Sequence, residues 1–228
     1  MAELILDQVR YQYPKAKKEI LCGVNAVFTA GKTTSIVGQS GAGKSTLLYL
    51  ISGLDTPKAG EVRLDGKVLQ AKDLDSYRRS TVATISQSYL LFPTRTVLEN
   101  VLYPMELAKM DREAAIAEAG AHLLSVGIRE ELYERLPSRL SGGEQQRVAI
   151  ARCLAAHSPI IAADEPTGNL DEENAREVLR ILTDLAHNQG KTVIIVTHDR
   201  MIAEQTDWQY RLEYGRLRHI GKRGNPVE

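Results

Sequence analysis

Gly38-Gln39-Ser40-Gly41-Ala42-Gly43-Lys44-Ser45 is the stretch that decides the fold. It satisfies the phosphate-binding pattern G-x-x-x-x-G-K-[ST]: glycines let successive backbone N–H groups turn inward around phosphate oxygens, the lysine supplies a point charge, and the hydroxyl is placed to coordinate Mg²⁺. The flanks agree with this reading. Thr34-Ser35-Ile36-Val37 reads as a buried strand leading in, and Thr46-Leu47-Leu48-Tyr49-Leu50-Ile51 as a helix whose positive N-terminus faces the anion. Strand, glycine-rich turn and helix in that order imply a nucleoside triphosphate site cradled by Gly38 to Thr46.

The rest of the composition limits what surrounds that site. A chain of 228 residues is long enough for one large core, or for a core with a small appended subdomain. Lys+Arg 29 against Asp+Glu 29 gives net charge +0, so no basic face argues for a nucleic-acid or anionic-membrane partner. No apolar run approaches the ~18 residues of a membrane span, and Met1-Ala2-Glu3-Leu4-Ile5-Leu6-Asp7 has acids where a signal peptide has basic and apolar regions. The expectation is a cytoplasmic protein. Cys22 and Cys153 belong to no metal or redox spacing and read as buried apolar fillers.

Residues 3–9 and 61–69 alternate with period two, with Asp65-Gly66 as a tight turn, which predicts an N-terminal antiparallel sheet. Thr34–Val37, Val82–Ser86, Ile160–Ala163 and Val193–Thr197 are short and mostly apolar, as parallel strands covered on both faces should be. These form an α/β core. From Pro93 to Leu140 the pattern is helical, with a helix over Arg112–Val126 stopped by Gly127. Asn174–Asn188 predicts a crossover helix before Gly190, and Trp208–Ile220 a closing hairpin around Tyr214-Gly215.

Leu140-Ser141-Gly142-Gly143-Glu144-Gln145-Gln146-Arg147 opens a second helix, whose free N–H groups and close-approach glycines make a second anion site. With the phosphate-binding loop upstream, this combination resembles the nucleotide-binding domain of ABC transporters, whose LSGGQ signature appears here with Glu144 in the last place. The resemblance runs from Leu4 to about Ile220. It implies a P-loop NTPase (RecA-like) α/β core with an N-terminal antiparallel β-subdomain and a helical insertion at about 93–147, all in a single domain spanning 1–228. It also implies ATP and Mg²⁺ as cofactors.

Position by position, the resemblance assigns further roles. Asp164, ending Ile160-Ile161-Ala162-Ala163, is similar to the Walker B metal ligand, and Glu165 to the general base. Gly168-Asn169-Leu170-Asp171 resembles the D-loop, His198 the switch histidine that contacts the γ-phosphate, and Gln87 the Q-loop glutamine that reaches metal and water. Metal ligation thus falls to Ser45, Gln87 and Asp164. Tyr13 fits the aromatic that stacks on adenine, although Tyr11, two residues away, is a competing core aromatic.

The subfamily is expected to be that of the macrolide, lipoprotein and antimicrobial-peptide exporter ATPases, on Asp164–Asp171 and Ser52-Gly53-Leu54-Asp55-Thr56-Pro57; Ser86 departs from the Phe that branch often carries. The resemblance further implies an ATP-bound dimer in which Ser141, Gly142 and Gly143 of one copy close the site of the other. Integral membrane permease subunits would be separate chains, and the ATPase would sit on the inner membrane face through them. A non-transport regulator of a membrane complex, of cell-division or sensor-coupled type, is the alternative. A DNA-repair ATPase would need a long heptad insertion and a basic face, and neither is present. Tyr89-Leu90-Leu91-Phe92 is too apolar for an ordinary turn and either packs under the insertion or forms a docking groove.

Overall fold

The computed structural model describes residues 2–222 and 225–226. The remaining residues of the expected 1–228 domain lie outside the described ones. In chain order the strands are β1 (Leu4–Tyr11), β2 (Leu21–Phe28), β3 (Thr33–Val37), β4 (Ala59–Leu64), β5 (Lys67–Val68), β6 (Val82–Ser86), β7 (Ile160–Asp164), β8 (Thr192–Thr197), β9 (Trp208–Glu213), β10 (Arg216–Lys222) and β11 (Asn225–Pro226). The helices are α1 (Lys44–Ile51), α2 (Leu74–Ser80), α3 (Val97–Leu107), α4 (Arg112–Ser125), α5 (Gly142–Ala155), α6 (Glu172–His187) and α7 (Arg200–Glu204).

Two sheets result. The first has the order β2-β1-β4-β5 and is antiparallel throughout, its β4–β5 turn made by Asp65 at φ 47° and Gly66 at φ 79°. The second runs β11-β10-β9-β3-β8-β7-β6, with β9, β3, β8, β7 and β6 parallel and β10 and β11 antiparallel at one edge. Backbone joins them where Cys22 N donates to Gly215 O at 2.7 Å.

The apolar runs of the parallel strands serve two cores at once. In β7, Ile161 and Ala163 face the core built with α3 to α6, while Ile160 and Ala162 face the core shared with α1 and the antiparallel sheet. α6 buries Val178, Leu179, Ile181, Leu182 and Leu185 on one face, each contributing roughly 1.5–3 kcal/mol by removal from water. It crosses between neighbouring parallel strands β7 and β8, as its position in the sequence requires.

Between Pro93 and Leu140 the described residues hold two α-helices and two short 3₁₀ turns, and no strand. Gly127, at φ 76°, follows the α4 C-terminus as expected. One expectation needs correction: Cys153 is buried, and burial pushes its thiol up to about 11, but Cys22 is only half-buried.

Candidate functional site: a triphosphate cradle and a separate capped helix

Gly38–Thr46, Gln87, Asp164, Glu165 and His198 follow or end the parallel strands β3, β6, β7 and β8 at their carboxyl ends, where an open α/β sheet has its ligand crevice. The loop after β3 enters α1 through Gly43, whose φ of 100° is one L side chains rarely adopt; a Cβ there would also stand 2.7 Å from Ile20 Cγ2. Lys44 Nζ donates to Gly38 O at 2.8 Å and to Gln39 O at 3.3 Å, so the loop's own carbonyls hold the ammonium over the cradle. A cavity of about 370 Å³ lies here, lined by Ser40, Gly41, Gly43 to Thr46, Tyr13, Gln87, Asp164 and Glu165.

Asp164 ends β7 beside the Ser45 side chain; burial raises its carboxyl above the usual range, and the Ser45 hydroxyl opposes the shift. Glu165 takes a left-handed backbone at φ 47°, which costs about 1–2 kcal/mol for a non-glycine residue. Its backbone N donates to Val196 O at 2.8 Å, which fixes the residue against β8. Thr197 Oγ1 and His198 N donate to Glu165 Oε2 at 3.2 and 3.3 Å, and His198 Nδ1 lies 2.9 Å from Oε1. The left-handed backbone at Glu165 thus turns its carboxylate onto His198.

Gln87, just beyond β6, is braced by the loop after β7: its Nε2 donates to Asn169 Oδ1 at 3.3 Å and Asn169 Nδ2 donates to Gln87 O at 3.1 Å. The two tyrosines separate cleanly. Tyr11 is 2% exposed and donates its hydroxyl to Asp55, while Tyr13 is 42% exposed and lies edge-on to it at 5.1 Å. Tyr13 Oη is 2.9 Å from Thr46 Oγ1, over the start of α1.

Ser141 caps α5. Glu144 N donates to Ser141 Oγ at 3.2 Å and Ser141 N donates to Glu144 Oε2 at 2.7 Å, a reciprocal box that either Glu or Gln can complete. Gly143 is needed for close approach, since a Cβ there would fall 2.2 Å from Asn174 Oδ1, which also accepts from Arg147 Nη1 at 3.0 Å. Ser141, Gly142 and Gly143 are not in the lining of the cradle.

The ABC transporter family model matches residues 21–168. This chain belongs to that family. An ABC transporter ATP-binding protein of Bacillus subtilis, YclH, is 41% identical over 215 residues, covering 94% of this ABC ATPase and 95% of that protein. The lipoprotein-releasing system ATP-binding protein LolD of Anaeromyxobacter dehalogenans is 44% identical over 87% of this chain and 84% of its own. Among solved structures, the dimeric post-hydrolysis state of the ATP-binding cassette MJ0796 bound to ADP and Pi superposes with TM-score 0.87 at 36% identity, covering 96% of this chain and 98% of that one. The ABC ATPase therefore binds and hydrolyses ATP. Among its described residues no helix is long and apolar enough to cross a membrane.

Sequence reading did not single out Asn169 as the brace for Gln87, nor Thr197 and Asp55 as supports for Glu165 and Tyr11. Thr197 and Asp55 lie inside stretches that were legible, but only the fold reveals their partners.

Proposed function

We propose that two copies of this ATPase close around ATP and energise a separate membrane permease, of the exporter class that releases lipoproteins or expels macrolides or antimicrobial peptides. The carrying observation is the partition of the site: one chain forms a triphosphate cradle, and the same chain presents Ser141–Gly143 elsewhere, as a capped helix start that the cradle lacks. A second copy supplies the missing half. The dimeric MJ0796 cassette and the LolD relatives support the pairing and the exporter class.

Within the cradle, Lys44 and the loop N–H groups hold the β/γ oxygens, Tyr13 stacks on adenine, and Ser141 of the other copy donates to the γ-phosphate. Ser45 and Asp164 offer a hydroxyl and a carboxylate, hard oxygen donors that suit Mg²⁺, with Gln87 at the same wall; a cation there would relieve the buried Asp164 charge and neutralise the phosphates. Glu165 takes a proton from water as its oxygen attacks the γ-phosphorus. The bond from that phosphorus to the bridging oxygen breaks, its electrons leave on ADP, and His198 holds both Glu165 and the γ-phosphate. Loss of the γ-phosphate removes the bridge to Ser141, and the pair opens.

The permease would seat at a groove of about 820 Å³ flanked by Tyr103, Pro104, Leu107 and Arg152, beside Phe92, with the ATPase on the cytoplasmic membrane face. Light scattering tests the pairing: a monomer without nucleotide, and a Glu165→Gln dimer with ATP, are expected. A Glu165→Gln chain that stays monomeric in excess ATP refutes the sandwich. Phe92→Asp or Leu91→Asp should weaken co-purification with the permease while ATP still binds; unaltered assembly by a folded variant removes that side chain from the docking surface.

A further inference from the structure

The loop after Gln87 contains two successive non-glycine residues in the left-handed region, Tyr89 at φ 60° and Leu90 at φ 49°. Neither has the short polar side chain that eases this conformation. The local backbone bonds, Tyr89 N to Ser86 O at 3.0 Å and Leu90 N to Ser88 O at 2.6 Å, close a tight turn. What captures the outward carbonyls is Arg152, near the C-terminal end of α5: Nη1 donates to Leu90 O at 2.8 Å and Nη2 to Tyr89 O at 3.1 Å. Its guanidinium carbon also stands 5.7 Å from the centre of the Phe92 ring. One planar fork thus holds both carbonyls of the turn in register, which a lysine's single ammonium does not reproduce.

The same loop reaches the other end of that helix. A Cβ on Gly142 would lie 2.9 Å from Tyr89 Oη, so the phenol rests on the first turn of α5 while the Tyr89 carbonyl is held from its last turns. Tyr89 follows Gln87 by two residues, and Gln87 lines the cradle.

We infer that Arg152 is a positioning residue for ATP hydrolysis: its clamp on the Tyr89–Leu90 turn fixes Gln87 at the cradle and ties that placement to the helix bearing Ser141. This rests on the role given to Gln87 above. Without the clamp, two residues with side chains relax toward the right-handed or extended regions, and the chain direction out of Gln87 changes. Arg152 also lines the 820 Å³ groove, so a segment seated there meets the guanidinium that holds the turn.

The test is a set of variants assayed for kcat and KM with MgATP and for binding of a fluorescent ATP analogue. Arg152→Gln is expected to lower kcat roughly tenfold or more, with analogue affinity within about twofold of wild type, because a small displacement of a positioning group is costly to turnover. Arg152→Lys should recover little. Leu90→Gly in the Arg152→Gln background should restore several-fold of the lost kcat, since glycine adopts positive φ without steric cost. Leu90→Ile, which leaves Arg152 in place and disfavours left-handed backbone, should lower kcat by itself and covers the case in which Arg152→Gln fails to fold. Wild-type kcat in a folded Arg152→Gln or in Leu90→Ile overturns the inference, as does a deficit that Leu90→Gly leaves unrelieved. Gln87→Ala separates the two readings: wild-type turnover there overturns the role of Gln87 and this inference with it, whereas a loss beside an unrescued Arg152→Gln overturns this inference alone.

Discussion

Replacing Ser141 separates the helix cap that its hydroxyl makes from the trans role proposed for it. Its oxygen accepts from Glu144 N at 3.2 Å, so Ser141→Ala removes a helix cap and should cost about 1 kcal/mol. For a domain of this size that is a fall of roughly 2–4 °C in thermal midpoint. Such a loss leaves almost every molecule folded at 25 °C, so it cannot by itself lower turnover. Ser141→Asp keeps a capping oxygen and places negative charge at a helix N-terminus, which holds the midpoint at or above that of wild type. It also puts a carboxylate where the proposed dimer would receive a γ-phosphate, so hydrolysis should fall far more than in Ser141→Ala and ATP-dependent dimerisation should disappear. Differential scanning fluorimetry and phosphate release measure the two effects on the same samples. Wild-type ATPase activity in a folded Ser141→Asp protein would refute the trans role and leave Ser141 as a cap only.

Glu165→Gln should still bind ATP while turnover drops by roughly 10²–10⁴, the worth of a positioned base; phosphate release at the wild-type rate sinks that assignment. Tyr13→Ala should weaken ATP binding by about 5- to 150-fold, the range of a lost base stack, whereas Tyr13→Phe keeps the ring, loses only the bond to Thr46, and should bind at least as tightly as wild type; equal affinities for all three would remove Tyr13 from the adenine site. Asp55 is held below the usual carboxylate range chiefly by the Tyr11 hydroxyl, so its charge stabilises the fold above about pH 4, and the contribution is lost as pH falls through its folded value. Urea midpoints measured from pH 6 down to pH 3 should therefore drop less steeply for Asp55→Asn than for wild type, and parallel curves would contradict it.

The parallel strands were legible because burial on both faces makes each a short apolar run, and the Asp65-Gly66 hairpin because its turn demands positive φ. β2 escaped notice for a local reason: Gly23, at φ 81°, coincides with a break in pairing with β1, so the period-two pattern of Val24, Ala26 and Phe28 does not extend back to Leu21. α2 is too short to show a period, and Pro104 lies inside α3, where sequence rules place a helix end. In the site, the Gly38–Ser45 loop and the Asp164-Glu165 pair were readable because each is a contiguous stretch. The braces were not: Asn169 meets Gln87 across 82 positions and Thr197 meets Glu165 across 32, pairings that exist only once strand order is known.

Strand order also dictates when this site can come into being during synthesis. The strand that launches the phosphate loop, β3, has β8 and β9 as its sheet neighbours, and both are made long after it. From Val37 to Trp208 the ribosome adds on the order of 170 residues, which at about 5–20 residues per second takes roughly ten to thirty seconds. For most of that interval the nascent chain carries the whole glycine-rich sequence while β3 lacks both of its sheet neighbours. The apolar strands made meanwhile, β6 and β7, have one another to pair with before β3 is enclosed. A chain truncated before β8 would keep every residue of the phosphate-binding motif and lack both strands that flank β3.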